Sequence, residues 1–498
     1  AHISHVRIYG NDRLYEEVVR RELRTKPGDL FSKDALMRSA REIQSMGFFD
    51  PEKVNPDIQP NYEDGTVDIN WPLEQKSNDQ VEFSLGWGQT GVIGRISLKL
   101  NNFSMRNLFG KNKMHRGIMP IGDGEQLALS AQTNGSYYQS YSISYSSPWF
   151  GGRRPNAFNV GAYYSKQTDI NSSYYNSSWM NSTYNYSGGY GSYNNCYITY
   201  ARSVDDHKYV QLFGLSVGWG KRLRWPDDYF QLSVSLSYQR YMLRDWQYFI
   251  ISNGNCNNIN LGITLARTST DNQMFPRRGS EFMASVTLTP PWSKFDNKDY
   301  SKLATDRTSA TYEQEQQEKY RWIEYHKWKF KARTFTALTS GQKCFVLMSR
   351  VEFGILGSYN KDKKSPFENF YVGGDGMSGY STGYAQETIG LRGYENGSLT
   401  PWSAPGYAYD RFTLELRYPF MLGNTTIYGL TFLEGGNAWY DTKKFNPFDM
   451  KRSAGVGVRI FLPMVGMMGI DWAYGFDKAL STGTKGGSQF HFILGQEF

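Results

Sequence analysis

The residues that could carry hydrolytic chemistry are few, and none stands in a catalytic pattern. Gly214-Leu215-Ser216-Val217-Gly218 spells the nucleophile-elbow string, but it lies inside an alternating strand pattern and not on a strand-to-helix turn. The six histidines form neither an HExxH string nor the Cys/His spacing of a zinc site. His207 beside Asp205 and Asp206 is the remaining candidate for a hydrolase, and a solvated charged loop is the simpler interpretation. The sequence therefore predicts no enzyme, no metal and no cofactor.

A different chemistry, a buried ion pair, is indicated by one long loop. The segment Gly357 to Arg411 is rich in glycine and aromatic residues, which favours a folded loop, and it contains Leu391-Arg392-Gly393-Tyr394. If this loop folds into a lumen, Arg392 needs an acidic acceptor in the wall. Glu415 is predicted to point inward because its apolar neighbours alternate with it, and Glu434 is a second candidate whose facing is ambiguous. An ordinary surface loop with a solvated Arg392 is the alternative.

The elements that must position these residues are β-strands, whose patterns repeat from Val81 to the C-terminus. In the last pattern Phe490, Phe492, Leu494 and Phe498 share one face, which suits a tilted strand with lipid on one side and a polar lumen on the other. An even number of strands is typical of bacterial membrane barrels. Sixteen strands are predicted: Val81–Gly88, Gly91–Asn102, Glu125–Thr133, Ser140–Trp149, Phe158–Lys166, Phe213–Arg222, Phe230–Met242, Asn258–Thr268, Glu281–Pro290, Trp322–Thr336, Phe345–Leu356, Phe412–Pro419, Ile427–Ala438, Ser453–Leu462, Gly466–Tyr474 and Gln489–Phe498.

The connections support the barrel interpretation, because short links broadly alternate with long ones, as short periplasmic turns alternate with long outer loops in such proteins. With both barrel ends inside, the long links are predicted to be extracellular: Thr168 to Leu212, Trp246 to Asn257, Trp292 to Tyr320, Gly357 to Arg411 and Asp441 to Lys451.

The composition excludes two classes of protein. A mean hydropathy of −0.58 and 39% hydrophobic residues are too low for a helical membrane protein, whereas 16% aromatic residues and 50 glycines fit a barrel. The formal charge of +8 is scattered through strand patterns, so nucleic-acid binding is not predicted. In a barrel, basic residues line the lumen or meet lipid head groups.

The first 75 residues have helical periodicity and form a small separate domain in the order β-α-α-β-β, with the barrel at 79–498. Ser32 is the predicted N-cap of the second helix, and Gly47 its C-terminal glycine. The predicted strands are His5–Tyr9, Val54–Gln59 and Thr66–Leu73. Because the chain shows no signal peptide, we expect a processed product that lacks further N-terminal domains.

The three cysteines leave one question open. Cys196 and Cys256 fall in predicted outer loops, where either a disulfide or two free thiols is possible. Cys344 begins a strand and is predicted to be buried.

With its β-α-α-β-β domain, sixteen strands and Arg-Gly-Tyr element in the sixth outer loop, the chain resembles the BamA family of outer-membrane protein assembly factors. The first domain resembles the last POTRA repeat of that family. Leu391 stands where the family usually has Val, Glu434 stands where it often has Asp, and Glu415 matches a second acidic position. The resemblance implies that Arg392, Gly393 and Tyr394 form the family's loop motif.

The resemblance also implies a lateral seam between the first and last strands, where client strands would pair. The residues concerned are Val81, Phe83, Leu85 and Gly86 with Phe490, Phe492, Leu494 and Phe498. Gly86, Gly88, Gly91 and Gly495 would weaken pairing there. The implied partners are unfolded outer-membrane barrel proteins, accessory lipoproteins, periplasmic chaperones and the lipid bilayer.

Several alternatives remain open. A TamA-like factor or a two-partner secretion translocator of the FhaC kind would share this architecture, as would a mitochondrial sorting homologue. A passive porin or receptor barrel would have no obvious use for the first domain. The sixteen full strands and large outer loops favour the outer membrane of a Gram-negative bacterium.

Overall fold

The computed structural model describes residues 1–50, 53–75, 79–88, 91–109, 120–152, 156–170, 204–227, 229–246, 251–272, 275–296, 298–304, 308–365, 367–374, 387–401, 405–423, 425–462 and 466–494. The chain divides into two compact units, Ala1–Asp206 and His207–Phe498.

The N-terminal domain has the predicted order of elements. It consists of β1 (His2–Tyr9), α1 (Glu16–Arg20), α2 (Lys33–Ser45), β2 (Asp57–Asn61) and β3 (Thr66–Pro72). In its sheet β3 lies in the middle, parallel to β1 and antiparallel to β2. One face of the sheet is covered because both helices bury an apolar stripe against it.

Local sequence sets the limits of α2. The Ser32 side chain accepts a hydrogen bond from the Ala35 amide at 3.4 Å, as an N-cap does. Gly47 follows the helix with a φ of 72°, a conformation that glycine adopts without strain. Between these ends Leu36, Ala40 and Ile43 recur at helical spacing and are buried.

Within the first unit, the N-terminal domain contacts the end of the second strand of the large sheet and the connection that follows it, which contains a short helix, α3 (Met105–Phe109). The Tyr15 amide donates to the Gly122 carbonyl at 2.9 Å, and its hydroxyl donates to Asn107 at 2.9 Å. The Arg106 guanidinium lies over the Tyr15 ring, 4.4 Å from its centroid. Asn102 donates to the Arg13 carbonyl at 2.6 Å. The domain is therefore held by directional contacts at Arg13 and Tyr15, just before α1.

In the described part of the chain, the large antiparallel sheet has sixteen strands in chain order, and each overlaps one predicted strand. Besides the three strands of the N-terminal domain, two further described strands lie outside this sheet and are given with the loop below. The sixteen are β4 (Gln80–Gly88), β5 (Gly91–Phe103), β6 (Glu125–Asn134), β7 (Tyr138–Ser147), β8 (Asn156–Ile170), β9 (Val204–Arg222), β10 (Phe230–Arg244), β11 (Gly254–Thr268), β12 (Gly279–Leu288), β13 (His326–Ala337), β14 (Val346–Gly357), β17 (Ala408–Met421), β18 (Thr426–Trp439), β19 (Lys451–Leu462), β20 (Gly466–Lys478) and β21 (Lys485–Leu494). The predicted fold class is confirmed.

The two faces of the sheet differ as the alternation predicts. In β21, Phe490 and Phe492 are 67% and 60% exposed, whereas His491 between them is buried. In β20, Trp472 is exposed and Asp471 is fully buried. An exposed apolar face opposite a buried polar one is the arrangement of a strand between lipid and a polar interior.

Some predicted boundaries are wrong, because ladder hydrogen bonding continues where the apolar alternation ends. The predicted sixth outer loop, Gly357 to Arg411, is shorter than predicted at its C-terminal end, since β17 already begins at Ala408. That loop also contains a pair of short parallel strands, β15 (Phe370–Val372) and β16 (Glu387–Ile389). The predicted loop Trp292 to Tyr320 ends in a helix, α4 (Tyr312–Tyr320), whose Glu, Gln and Lys residues are good helix formers.

The hydrolase candidates are placed in strands. Asp205, Asp206 and His207 lie in β9, so the predicted loop position is wrong for them. Ser216 also lies in β9, where it pairs with Ser237 of β10. Among the described residues no group of His, Cys, Asp and Glu could hold a metal ion. No helix in the described part of the chain is long and apolar enough to span a membrane.

The cysteines are partly described. Cys256 is buried in β11 and not in a loop, because the ladder with β10 extends to Gly254. Cys344 is buried, as predicted. Within the described residues, neither Cys256 nor Cys344 forms a disulfide. Cys196 lies outside the described residues, so the Cys196–Cys256 question stays open.

Candidate functional site

The loop between β14 and β17 is folded and held by its own backbone. Leu391 and Gly374 exchange two hydrogen bonds of 3.1 Å, and the Gly373 amide donates to the Ile389 carbonyl at 3.0 Å. Side chains of the loop, among them Phe370, Leu391 and Tyr394, join a buried apolar cluster of the second unit. This scaffold fixes the segment that carries Arg392.

Arg392 is fully buried and meets three carboxylates from three strands. Its backbone amide and Nε donate to Glu434 of β18 at 2.9 and 3.2 Å. Its Nη1 donates to Asp471 of β20 at 3.1 Å, and its Nη2 donates to Glu415 of β17 at 2.8 Å. Each of the three nitrogens of the guanidinium therefore has an anionic partner, the strongest class of hydrogen bond for this group.

The flat face of the same guanidinium is also occupied. Its central carbon lies 3.5 Å from the centroid of the Phe432 ring. Phe432 is opposite Glu415 in the ladder of β17 and β18, two residues before Glu434, so all three face the same side. The cation–π contact and the ion pairs together define one orientation of Arg392.

The carboxylates have further partners, so no charge depends on Arg392 alone. Glu434 accepts from Arg411 at 2.6 and 2.8 Å and from Thr413 at 2.8 Å. The other two acids each hold a second arginine: Glu415 accepts from Arg417 at 2.8 Å, and Asp471 accepts from Arg459 at 2.5 and 2.8 Å. Four buried arginines and three buried carboxylates thus form one network, which we call the arginine network.

Gly393 connects the loop to the last strand. Its amide donates to Nε2 of His491 in β21 at 2.9 Å. Its φ is 86°, and a Cβ there would lie 2.9 Å from both the Gly475 nitrogen and the Ser453 side chain. Both the conformation and the space therefore require glycine.

Tyr394 completes the attachment. Its hydroxyl donates to the Arg452 carbonyl of β19 at 2.8 Å and accepts from the Asp477 amide of β20 at 3.3 Å. The ring is buried. Because Arg392, Gly393 and Tyr394 together reach β17 to β21, the loop motif is bonded to all five final strands or to side chains on them.

The structure thus brings together Arg392, Glu415 and Glu434, and the extra methylene of glutamate does not prevent pairing. Asp471, His491 and Arg459 also belong to this site and were not predicted from the sequence. A signal for the first two was present, because Asp471 alternates with Ile470 and Trp472, and His491 alternates with Phe490 and Phe492. Alternation indicated their face but not their partner.

The predicted seam residues are only partly described. Val81 is exposed in β4, while for Phe83, Leu85 and Gly86 the structure describes the backbone, which pairs with β5. In β21, Phe490 and Phe492 are exposed, and the Leu494 backbone pairs with Met468. Phe498 and Gly495 lie outside the described residues. The seam stays a prediction.

The ion pairs and hydrogen bonds of this site can anchor the loop to the sheet. A buried charged network in which each carboxylate accepts from two arginines fixes one arrangement. Removing one partner of a buried ion pair costs about 3–5 kcal/mol because a buried charge loses compensation. The network can therefore hold the loop in one position against the last five strands.

Comparisons with known proteins agree with this architecture. The sequence profile of the Omp85 superfamily domain matches residues 121–498, and the POTRA profile, described as a surface antigen variable number repeat, matches residues 1–74. The outer membrane protein assembly factor BamA of Neisseria meningitidis serogroup B is 24% identical over 444 residues, 84% of this chain and 42% of that protein. The chain spans less than half the length of the curated relatives that it matches.

Two solved structures show the same fold. BamA from Haemophilus ducreyi lacking POTRA domains 1–3 is 17% identical with a TM-score of 0.53, over 99% of this chain and 83% of that one. CdiB from Escherichia coli is 12% identical with a TM-score of 0.55, over 99% of this chain and 75% of that one. The resemblance to the BamA family is confirmed at the level of family and fold. Since the superfamily profile covers the greater part of its length, the chain belongs to the Omp85 superfamily and begins with a POTRA domain.

Proposed function

We propose that this chain is the membrane barrel and last POTRA domain of an insertase that folds β-barrel proteins into the outer membrane of a Gram-negative bacterium. The POTRA domain would lie in the periplasm and the long loops outside the cell. The proposal involves no enzymatic step, nucleotide, metal or cofactor.

The observation that carries the proposal is the attachment of one loop to the last strands. Arg392 contacts β17, β18 and β20, and Gly393 contacts His491 of β21. An insertase with a seam at its last strand must keep the neighbouring wall rigid while that strand exchanges partners. The arginine network supplies such rigidity because its charges are buried, and any other arrangement would leave them unpaired away from solvent.

Client strands would add to the exposed edge of the first strand, Gln80–Gly88. Backbone pairing gives affinity without demanding a particular sequence, which suits a protein with many clients. Burial of client backbone groups in paired strands and of apolar faces in lipid would supply the free energy. Accessory lipoproteins and periplasmic chaperones would deliver clients to the POTRA domain.

The test is the folding of an unrelated barrel protein into liposomes with and without the purified chain, at matched lipid and denaturant. We expect faster folding in its presence. A disulfide engineered between one cysteine in β4 and one in β21 should abolish the acceleration, and reduction should restore it. The control carries the same two cysteines in β6 and β7, which are already neighbours. Acceleration that survives the β4–β21 disulfide would refute the seam.

A secretion translocator is the second candidate, because the CdiB structure covers 99% of this chain with a TM-score of 0.55, similar to that of the BamA structure. A translocator needs a conducting lumen. Large, steady single-channel currents in planar bilayers together with unaccelerated client folding would favour it over the insertase.

A further inference from the structure

A polar cavity of about 640 Å³ lies away from the arginine network, between α4 and the loop ends of β10 and β11. Its lining includes Arg240 of β10, Asn255 and Asn257 of β11, and Gln314, Gln317 and Arg321 of α4 and its C-terminus. None of these residues takes part in the proposed function.

The cavity carries uncompensated positive charge. Arg240 and Arg321 are exposed, and within the described part of the chain neither guanidinium has a hydrogen-bond or ion-pair partner. The one carboxylate in the lining, Glu318, is paired with Lys298. Two free guanidinium groups beside several amides make a site for an anion with oxygen atoms, since arginine binds phosphate oxygens in pairs.

The position of the cavity selects the kind of anion. Arg240 shares one face of β10 with Leu236, which is 55% exposed, and with Tyr238, whose hydroxyl donates to Asn257 at 2.9 Å. On β11 the same face continues from Asn257 to the exposed Leu261. The polar cavity therefore begins where the exposed apolar row of the sheet ends, with a tyrosine at the boundary, as at a membrane interface.

We propose that this cavity binds the phosphate-bearing head group of a membrane lipid whose acyl chains lie along the apolar row of β10 and β11. The guanidinium groups of Arg240 and Arg321 would hold the phosphate, and the amides of Asn255 and Gln317 would bond hydroxyl or ester oxygens next to it. The inference needs the sheet to lie in a membrane, as the proposed function does, but it does not need insertase activity.

The experiment is native mass spectrometry of the full chain in a neutral detergent, titrated with a bis-phosphorylated glycolipid. The test variant is Arg240→Gln/Arg321→Gln. The matched control is Arg244→Gln, which removes an exposed arginine from the same end of β10 outside the cavity lining. We expect the double variant to bind about tenfold more weakly for each guanidinium removed, and the control to bind like the wild type.

Three outcomes would overturn the inference: equal binding by the double variant and the wild type, equal binding of the dephosphorylated glycolipid, or full displacement of the lipid by equimolar inorganic phosphate, which would indicate a soluble-anion site. Both arginines are exposed and lack described partners, so the variants should fold. Folding is verified on SDS gels, where a folded barrel migrates more slowly only after it has been heated. Because this experiment measures lipid binding and not client folding, a negative result would not contradict the proposed insertase function.

Discussion

Replacement of Glu434 by glutamine keeps the shape of the side chain and removes its charge, which isolates the electrostatic part of the loop anchor. One carboxylate oxygen of Glu434 accepts from Arg411 and Thr413, and the other accepts from the amide and Nε of Arg392. All of these partners are donors, whereas glutamine has a single accepting oxygen and an NH₂ group.

We expect the glutamine oxygen to stay with Arg411 and Thr413, where three donor groups converge, which turns the NH₂ group toward Arg392. The loop then loses two hydrogen bonds to a charged acceptor, each worth about 1.5–3 kcal/mol. The total of about 3–6 kcal/mol shifts the equilibrium between docked and released loop by a factor of about 10²–10⁴.

The assay is amide hydrogen exchange of a peptide spanning residues 387–401, measured on the full chain in detergent. Exchange at the Arg392 and Gly393 amides should accelerate in Glu434→Gln. Glu281→Gln is the matched control, because Glu281 pairs with Arg333 between β12 and β13, away from this loop. Unchanged exchange in Glu434→Gln would refute the view that the arginine network holds the loop.

Four further variants test separate contacts. Arg392→Ala removes the partner shared by three carboxylates and should slow client folding in the liposome assay; unchanged client folding and barrel stability would contradict this. Gly393→Ala places a Cβ at a φ of 86° and should weaken docking by about 1–3 kcal/mol, seen as faster exchange of residues 387–401. Tyr394→Phe loses one hydroxyl and should cost only about 1 kcal/mol in the same assay, so a larger effect would point to lost packing. Ser32→Ala should lower the free energy of unfolding of the POTRA domain by about 1 kcal/mol, seen as faster proteolysis of that domain with normal hydrogen exchange of residues 387–401. An unchanged rate of proteolysis would mean that the N-cap is not needed.

The arginine network shows where sequence reasoning was limited. The rule that apolar residues face lipid placed Glu415 correctly, but around Glu434 it gave no answer. Phe432 is the reason, because this apolar side chain faces inward to cover the guanidinium of Arg392, while the exposed Leu433 faces outward. The contact between Phe432 and Arg392 therefore interrupts the local alternation, and the direction of Glu434 is given only by its register with β17.

Asp471 and His491 were missed for a different reason. They meet the loop motif across 79 and 98 positions of the chain, and nothing near either residue specifies such a partner. Their inward direction was readable from the alternation of β20 and β21. Their contact with the loop depends on how deeply the loop folds toward the sheet.

The sequence alone determined the sixteen strands, the β-α-α-β-β domain before them and the face of most side chains, because alternation and helix capping are local properties that each segment carries itself. The tertiary structure alone decided that Arg392 meets Glu434, Glu415 and Asp471 and that Gly393 meets His491. Such pairings depend on strand register and on the path of a long loop, which are set by contacts between residues far apart in the chain.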